Sequence, residues 1–554
     1  MRHLEADVLV VGAGAAGMYA AIEAARQGAG RVLLLDRSLI GRGGATVMAQ
    51  MTVAAAVGPE GTDHWRHHMA DTLAAGRGLC DPALAALLCE IGAECILEME
   101  RWKVGWARDA EGGFAQVQAP GHDRPRCVYV DFLSTGPAVS RTLRTQLQRV
   151  GASIRRVGEV VVSDLVLQGG RVTGAVALDI ASGRPLTIGA AATIIATGGL
   201  TRLYARNSAS ANMSGDGYAL ALRAGAPLID MEFVQFFPIG HLAPRLIGMD
   251  PIMWDPFRYK LGGRLLNGEM EEFLHRWGEG EAERYVVTRD LATYAITKEV
   301  EAGRGSPAGG AYLSFAHVPE TRLREAFGPV IDRLAANGID LTRDAIEVSP
   351  IAHYHMGGIR VDTAMRTGVP GLLAAGEAVG GANGANRLSG NAITEALAFG
   401  RIAGAEAARQ AAAGAPCFDA AAAAPGLALL EAEGERMNTA AMVARLQRIM
   451  AADVGPFRTA SGLGRAAAEL AVLRDELGTA PPGQPGQPHD LLRLDWLDLR
   501  QMLLVAEAVV NAATARTESR GAHQREDYPG QSPAWERSLV VDLPAGEVRP
   551  RFVT

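Results

Sequence analysis

A glycine-rich turn near the N-terminus has the residue types and spacing that bind a pyrophosphate. The turn, Gly12-Ala13-Gly14-Ala15-Ala16-Gly17, joins the apolar run of residues 6–11 to an alanine-rich helical pattern. Gly12 allows a tight turn, Gly14 lets the backbone approach the phosphates, and Gly17 lets the helix pack closely on the strand. The phosphates would sit at the helix N-terminus, where N–H groups and the helix dipole favour negative charge. The turn therefore predicts binding of an adenine dinucleotide.

An acidic residue follows at the sequence spacing expected of a ribose-binding acid. The predicted second strand, residues 31–35, is followed by Asp36, which lies 19 residues after Gly17 and can accept hydrogen bonds from a ribose diol. Because strand, turn, helix and acid occur in order, they favour dinucleotide binding over a tight turn in some other doubly wound sheet. The segment that follows is either a surface loop or, as its position favours, a loop along the cofactor. Its candidate residues are Arg37, Gly43, Gly44, Thr46, Ala49 and Gln50.

Later strands also run into glycine turns, where more of the backbone can meet the cofactor. The apolar run of residues 192–195 ends in such a turn, and so does the run of residues 371–375. A further helical pattern opens at an acidic residue after Gly215. These patterns add the candidate cofactor-binding positions Val160, Ala196, Thr197, Gly198, Gly199, Asp216, Gly376 and Glu377.

The composition is that of an ordinary globular protein. The 554 residues are 48% hydrophobic, and 54 basic and 61 acidic residues give a net charge of −7. That balance gives no reason to expect nucleic acid or an anionic membrane as a partner. No apolar run is long enough to span a membrane, so we expect a cytoplasmic protein. The five cysteines have no CxxC or metal-finger spacing, so we expect no metal site.

The length and the distribution of patterns predict several domains. Glycine-rich strand patterns occur in residues 1–231 and return in residues 353–412, which predicts one Rossmann-like α/β domain that is discontinuous in sequence. Residues 232–352 are mixed in character and predict an inserted α+β capping domain. Residues 427–516 carry amphipathic helical patterns with short connections, which favour an antiparallel helical bundle. Residues 517–554 follow as a C-terminal tail segment.

These motifs, in this order, resemble those of the flavoprotein subunit of succinate dehydrogenase and fumarate reductase, a family that includes L-aspartate oxidase. The resemblance extends to residues 516–523, which read RTESRGAH and are similar to the family's closing motif. It implies FAD, the domain division given above, a small carboxylate substrate and an iron–sulfur or other electron-transfer partner. It also implies that Glu377 holds ribityl or ribose hydroxyls and that Ser389, Asn391 and Ile393 form the turn near the flavin ring.

The resemblance implies a catalytic arginine in the capping segment. In the family, hydride passes between flavin N5 and a carbon beside a carboxylate, and an arginine exchanges the proton on the neighbouring carbon. Thr288-Arg289-Asp290 matches that element, so Arg289 is the candidate proton donor and acceptor. Asp290 and Glu269 are candidate relay members, because a guanidinium is nearly always protonated and needs assistance to act as a base. Without the resemblance, Arg289 and Asp290 would be interpreted as a surface ion pair.

One of the family's two carboxylate-binding sites matches this sequence and the other does not. His353 and Arg387 match the histidine and arginine that hold a carboxylate, and Arg387 is also a candidate cofactor contact. The second site differs because the family usually reads Gln-Phe-His-Pro-Thr where this chain reads QFFPI. An unpaired buried carboxylate is unfavourable, so the substrate is predicted to differ from plain fumarate or succinate. The residues of the remodelled site are Phe237, Ile239, His355 and His241.

A further departure concerns the attachment of the cofactor. Complex-type members of the family bind FAD covalently through a histidine in the loop after the ribose-binding acid, and the matching position here is Ala45. The resemblance therefore implies non-covalent FAD, as in L-aspartate oxidase, and a lower flavin potential. A lower potential argues against succinate oxidation.

The sequence predicts an FAD-dependent oxidoreductase that reduces, or in reverse introduces, a C=C bond next to a carboxylate. Two alternatives remain open. One is amine oxidation with oxygen as acceptor, as in L-aspartate oxidase, and the other is a catalytically silent flavin-binding partner protein. An activity on sulfur like that of adenylylsulfate reductase would not explain the match at His353 and Arg387.

Overall fold

A computed structural model describes residues 2–58, 61–131, 133–246, 249, 252–254, 262–277, 289–414 and 418–553, with the backbone alone at 289 and 290. None of the helices in this part of the chain combines the length and apolarity needed to cross a bilayer. Within the same residues, no group of three or more His, Cys, Asp or Glu side chains is arranged to hold a metal ion.

Strands and helices are interspersed along the chain, and residues 391–515 form a predominantly helical segment. The strands are β1 (Arg2–Val11), β2 (Val32–Leu35), β3 (Val53–Ala54), β4 (Gln116–Val117), β5 (Cys127–Val128), β6 (Ile154–Val157), β7 (Val160–Gln168), β8 (Arg171–Asp179), β9 (Arg184–Ile195), β10 (Leu228–Ile229), β11 (Val234–Ala243), β12 (Arg264–Leu266), β13 (Ala311–Ser314), β14 (Ile346–His355), β15 (Gly358–Ile359), β16 (Leu372–Ala374), β17 (Phe457–Arg458), β18 (Gln524–Arg525), β19 (Leu539–Asp542) and β20 (Arg549–Phe552). The α-helices are α1 (Ala15–Arg26), α2 (Trp65–Ala75), α3 (Pro82–Arg101), α4 (Thr135–Val150), α5 (Asp216–Arg223), α6 (Arg289–Glu301), α7 (Glu320–Phe327), α8 (Val330–Ala336), α9 (Asn391–Ala412), α10 (Ala424–Glu431), α11 (Thr439–Asp453), α12 (Ala460–Leu477) and α13 (Leu491–Ala515).

A seven-stranded sheet forms the first layer, in the order β6-β2-β1-β9-β8-β7 with β16 also paired to β9. The strands β6, β2, β1, β9 and β16 are parallel, and β8 and β7 continue the sheet in antiparallel pairing. The residues of β2 are all apolar and buried, as expected of a parallel strand covered on both faces. Because β16 follows the capping segment in sequence, the chain returns to complete the sheet that its first strand began.

Close packing around the first turn requires glycine. Gly12 has φ of +104°, and a Cβ there would lie 2.3 Å from the Ala196 carbonyl oxygen. A Cβ at Gly17 would lie 1.8 Å from the Gly12 carbonyl oxygen. Both separations are far below van der Waals contact, so the two glycines bring strand, turn and helix together.

We predict that Gly12→Ala prevents FAD binding and lowers the melting temperature. The added methyl group would collide with the neighbouring strand end in addition to adopting an unfavourable φ. Gly28→Ala is the matched control, because Gly28 has φ of +92° but a Cβ there would meet no other group within 4 Å. The control is expected to lose about 1–2 kcal/mol from backbone strain alone and to keep its flavin. Equal flavin content in the two purified variants would contradict the steric explanation.

The inserted segment forms its own sheet and core. Its four strands are ordered β11-β14-β13-β12, and α6, α7 and α8 belong to the same segment. A separate apolar cluster fills it, including the buried rings of Trp254, Phe273, Phe315 and Phe327. The last residues of β14 stay paired with the start of β11, with Tyr354 opposite Gln235 and His355 opposite Val234.

The C-terminal residues are integrated into the rest of the protein. The helices α11, α12 and α13 pack on one another, and α13 also contacts α5. The segment after α13 contributes β19 and β20 to a second sheet, in the order β15-β10-β19-β20. The fully buried Arg516 of the closing motif joins Glu232 (2.5 Å) to Glu518 (3.1 Å), at the point where the chain enters the capping segment.

Candidate functional site

An open cleft lies along the carboxyl ends of the parallel strands. It is lined by most of the candidate cofactor residues, namely Gly12, Gly14, Ala15, Ala16, Asp36, Arg37, Gly43, Gly44, Thr46, Ala49, Val160, Ala196, Thr197, Gly198, Asp216, Glu377 and Ile393. This edge of an open α/β sheet is where such folds bind their ligands.

The remaining candidate cofactor residues are not part of the cleft lining. Gly17, Gly199 and Gly376 are positions of close packing, and the side chain of Asn391 bonds to His68 and Thr72. The carbonyl of Ser389 is hydrogen-bonded to the ring of His122 (2.7 Å). The candidates outside the lining are Gly17, Gln50, Gly199, Gly376, Arg387, Ser389 and Asn391.

The first turn of α1 faces the cleft without a capping side chain. Gly14 is the N-cap residue and makes no side-chain cap bond, while the Ala15 N–H donates to Thr46 Oγ1 (3.0 Å). Asp36 is held at the end of β2 because it accepts hydrogen bonds from the Ala13 N–H (2.8 Å) and the Ser38 N–H (2.7 Å). The first turn of α1 and Asp36 both line the cleft, and their binding of a pyrophosphate and a ribose stays a prediction.

Arg37 forms an ion pair with a distant helix, which the sequence around it does not indicate. Its guanidinium forms a bidentate ion pair with Asp498 of α13, with both N–O distances at 2.7 Å. Arg202 binds the same carboxylate. Arg37 therefore lines the cleft and also fastens the C-terminal helices to it.

Two buried oxygens in the cleft have hydrogen-bonding capacity that a bound FAD could satisfy. In the described part of the chain, Thr197 Oγ1 and Asp216 Oδ1 are buried and have no hydrogen-bond partner. Burial raises the pKa of Asp216 to about 6 and that of Glu377 to about 8. Sugar hydroxyls and ring N–H groups of a dinucleotide would supply the missing donors, so these residues fit the cofactor.

We predict that the apoprotein loses stability as pH rises from about 4.5 to about 8. Folded Glu377 binds a proton in this range and the unfolded carboxyl does not, so raising the pH favours the unfolded state. Glu377→Gln should show a smaller decrease in melting temperature between these limits. Glu325→Gln, at an exposed position on α7, is the control and should behave like the native apoprotein. An unchanged pH profile in Glu377→Gln would show that this carboxyl does not titrate as stated.

A bulge at the end of β14 orients His353. Tyr354 pairs with Gln235 and Ala352 pairs with Phe236, so His353 is an extra residue between consecutive pairs. Such bulges redirect a side chain next to an active site. His353 Nδ1 is hydrogen-bonded to Ser208 Oγ (2.7 Å), and the His353 ring lines the cleft.

Arg387 is buried beside this bulge and is held on several sides. Its Nη2 donates to Gln235 Oε1 (3.1 Å), and its guanidinium lies 4.4 Å from the centre of the Tyr354 ring. The Tyr354 hydroxyl donates in turn to Glu395 (2.5 Å). Burial raises the pKa of Glu395 to about 7. The fork of Arg387 is therefore fixed by an amide and an aromatic face.

The other candidate substrate residues divide into two groups. Phe237 is buried and packs edge-to-face on His353, with ring centres 5.8 Å apart. His355 is bonded to the Tyr218 hydroxyl and the Met231 carbonyl, both at 3.1 Å, and burial lowers its pKa to about 4. His241 is bonded to the Pro244 carbonyl (2.6 Å) and accepts from the Trp254 indole (3.3 Å). Among the described residues that line the cleft, none is Phe237, His355 or His241.

The candidate proton-transfer residues lie in the capping segment. Arg289 and Asp290 open α6, and their side chains lie outside the described residues. Glu269 is exposed in a turn after β12. Sequence reasoning missed Glu299, a fully buried acid of α6 that accepts from Arg304 (2.8 and 2.9 Å) and from the Trp277 indole (2.8 Å).

Other lining residues were also missed. Four of them come from segments with no recognisable motif, and the final two lie on α9, after a predicted glycine turn. The lining residues that the sequence did not single out include Ser208, Asn212, Met213, Met253, Ala392 and Ala396.

A split parallel sheet with a pyrophosphate turn, a ribose acid and buried carboxyl groups along one cleft defines a dinucleotide-dependent oxidoreductase. A family model described as an FAD binding domain matches residues 7–393, and one described as fumarate reductase flavoprotein C-term matches residues 443–543. The chain belongs to the succinate dehydrogenase and fumarate reductase flavoprotein family, which includes L-aspartate oxidase, and is an FAD-dependent oxidoreductase.

Individual relatives cover nearly the whole chain. One subunit of the CoM/CoB fumarate reductase of Methanothermobacter marburgensis is 33% identical over 99% of this chain and 98% of its own length. The L-aspartate oxidase of Streptomyces coelicolor is 33% identical over 98% of this chain and 92% of its own length. The solved structure of Mycobacterium smegmatis Sdh1 in complex with UQ1 has a TM-score of 0.89 at 34% identity, covering 100% of this chain and 94% of that one. These matches confirm the predicted family and the mixed α/β fold with a Rossmann-like sheet and C-terminal helices.

Proposed function

We propose that this protein reduces, or in reverse introduces, a C=C bond next to a carboxylate, on a substrate other than plain fumarate or succinate. FAD, when bound, supplies hydride transfer at flavin N5. The chain must bind the carboxylate, orient the neighbouring carbon, exclude water and transfer one proton. The observation that carries the proposal is the pairing of an oriented Arg387 and a bulged His353 with an apolar surface formed by Phe237.

One carboxylate of the substrate binds Arg387 and His353. The guanidinium is buried, so its charge is weakly screened and a bidentate contact to a carboxylate is strong. Gln235 and Tyr354 hold the fork in place before substrate arrives, which reduces the ordering that binding requires. Orienting the reacting carbon in this way can supply a large part of the rate acceleration.

The opposite end of the substrate meets apolar side chains. Phe237 and Ile239 are buried and offer no hydrogen-bond donor to a second carboxylate. The ring nitrogens of His355 and His241 have partners within the protein, so we assign these two histidines to structural support. The substrate class that fits is a carboxylate with an uncharged or bulkier group at its other end.

Proton exchange is assigned to Arg289, with Asp290 and Glu269 as relay members. The assignment rests on the motif and on the position of Arg289 as first residue of α6 in the capping segment. Glu299 anchors the far end of the same helix through Arg304 and Trp277. Met253 of the capping segment lines the cleft, and its N–H donates to Gln50 Oε1 (2.9 Å), a contact that helps to exclude water.

We predict that FAD is released when the purified protein is precipitated with acid. Ala45 lines the cleft at the position of the family's attachment histidine and has no group that could bond to the flavin. The supernatant should contain all of the flavin, and the pellet none. Ala45→His is the informative variant, and flavin retained in the native pellet would refute non-covalent binding.

The function is tested by screening saturated and unsaturated mono- and dicarboxylates against the holoenzyme. Reoxidation of chemically reduced flavin by an unsaturated carboxylate, or bleaching by a saturated one, is the expected result. Fumarate should be a poorer substrate than an unsaturated acid with only one carboxylate. No response to any carboxylate would favour the catalytically silent alternative.

Amine oxidation with oxygen as acceptor is the second candidate. The observation that favours it is the 33% identity to an L-aspartate oxidase along nearly the whole chain. Aspartate requires both carboxylates to be held, and the apolar Phe237 weakens that fit. Hydrogen peroxide formed with an amino acid substrate would establish this alternative.

For the reductase, an iron–sulfur or other electron-transfer partner is proposed, since the relative from Methanothermobacter marburgensis is itself one subunit.

A further inference from the structure

A strongly basic segment lies beside the cofactor cleft. Residues 132–158 contain five arginines and no Asp or Glu, and residues 37–58 also contain no acid, although the chain carries a net charge of −7. The first segment includes α4, and the second includes the loop of residues 41–49. The two segments meet, because α4 packs on this loop.

Three arginines converge at this contact. Arg144 of α4 lies on Gly41, where an added Cβ would be 2.8 Å from Arg144 Cδ. Burial and the like charges of Arg42 and Arg141 lower the pKa of Arg144. Arg42 and Arg141 are exposed, and Arg144 is half-buried. We name Arg42, Arg141 and Arg144 the basic face.

The basic face is directly connected to the cleft. The first turn of α4 is in close contact with the loop, since a Cβ at Gly136 would lie 2.0 Å from the Thr46 carbonyl oxygen. Ala45, Thr46 and Ala49 of the same loop line the cleft. The loop is therefore the layer that separates the basic face from a bound cofactor.

No counter-charge compensates the basic face within the described residues. None of its three guanidiniums forms an ion pair there, and Arg144 Nε is buried without an acceptor. Arg37, which precedes this loop in sequence, is by contrast neutralised by Asp498. Three like charges held together without a carboxylate are unfavourable in the isolated chain and become favourable when an anionic surface covers them.

We propose that the basic face docks an acidic electron-carrier protein at the loop of residues 41–49. The proposal rests on the proposed function only in requiring that the flavin exchange electrons with a separate carrier. A clustered charge beside the redox cleft steers an oppositely charged protein and accelerates its encounter, which suits a carrier that must bind and leave quickly.

Binding is tested with a plant-type [2Fe–2S] ferredoxin, an acidic one-electron carrier, titrated calorimetrically into the holoenzyme. Affinity should fall at least tenfold between about 20 mM and about 200 mM salt, because screening shortens the reach of the charges. Arg42→Gln/Arg141→Gln/Arg144→Gln should weaken binding at least tenfold at the lower salt concentration. The control Arg322→Gln/Arg333→Gln/Arg448→Gln removes the same charge from exposed positions elsewhere and should bind like the native protein.

Electron transfer is tested with small probes of opposite charge, which need no carboxylate substrate. Photoreduced FADH⁻ gives two electrons to two ferricyanide ions, which become ferrocyanide, and one proton goes to solvent. Ferricyanide, an anion, should react about tenfold more slowly with the basic-face variant at low salt. The cation hexaammineruthenium(III) should react with the variant at least as fast as with the native protein.

A double variant distinguishes loss of the basic face from loss of folding. Arg42→Gln/Arg141→Gln changes only exposed residues and should show the same effects at smaller size, even if the triple variant is unstable. Equal ferredoxin affinity in the basic-face and control variants would overturn the proposal. A ferricyanide effect without ferredoxin binding would also overturn it, in favour of a small-anion site. A holoenzyme inactive on every carboxylate that still shows both effects would reject the proposed reaction and keep the docking face.

Discussion

Arg289→Gln is expected to lower turnover of the carboxylate substrate by at least about 10²-fold while FAD stays bound. Proton transfer by a positioned side chain contributes about 10²- to 10⁴-fold to a rate. Glutamine has a similar length and retains hydrogen-bond donors, but it carries no proton that it can transfer to carbon. The loss should therefore appear in kcat, measured with the best acid from the substrate screen.

Binding measurements separate this chemical role from a structural one. Carboxylates perturb the absorbance of a nearby flavin, and the apparent Kd from that signal should change little in Arg289→Gln. Arg324→Gln is the control in the same capping segment, because Arg324 forms an exposed ion pair with Glu320 on α7. Full activity of Arg289→Gln would remove the proton-transfer assignment, and loss of the flavin would indicate a structural role instead.

Arg387→Gln is expected to lower kcat/KM for the carboxylate by about 10²-fold or more. Truncating one partner of a buried, hydrogen-bonded charge pair costs about 2–5 kcal/mol. The guanidinium is held by Gln235 and Tyr354, so a neutral amide would leave the substrate carboxylate without its main counter-charge. The weaker binding should be measured as an increased Kd for the carboxylate in the flavin absorbance assay.

Two further variants define the contribution of geometry. Arg387→Lys retains the charge but loses the planar fork, so it should recover only part of the affinity. Arg401→Gln, in an exposed ion pair with Glu94, is the control on α9. Unchanged carboxylate affinity in Arg387→Gln, with FAD bound, would show that the substrate binds elsewhere.

The features predicted from the sequence are those fixed by short-range geometry. The glycine turn at Gly12 depends on backbone dihedral angles and on contacts within one strand–turn–helix unit, so the local sequence specifies it. The position of Asp36 is set by the lengths of one helix and one strand, so the spacing in the sequence predicts it. The family motifs added His353 and Arg387, which neighbouring residues alone would not distinguish from buried structural residues.

The tertiary structure decided how distant segments meet. The sequence offered Arg37 as a cofactor residue, whereas its ion pair with Asp498 joins residues 461 positions apart. The bulge that exposes His353 depends on the register between two strands separated by more than one hundred residues. Strand β19 pairs with β10 on one side and with β20 on the other, and no pattern within the C-terminal segment indicates the partner β10.

The histidines also show the difference between what the sequence predicts and what the tertiary structure decides. The sequence placed His241 and His355 near the substrate from motif positions, but a side chain's partners depend on what the whole fold packs around it. His355 finds a tyrosine hydroxyl and a carbonyl, and His241 finds a carbonyl and an indole. By itself, therefore, the sequence determined the family, the cofactor class and the strand–turn–helix unit at Gly12, because these depend on local backbone geometry and ordered motifs. Only the tertiary structure decided which polar groups face the cleft and which satisfy one another, because a buried group's partners come from long-range packing.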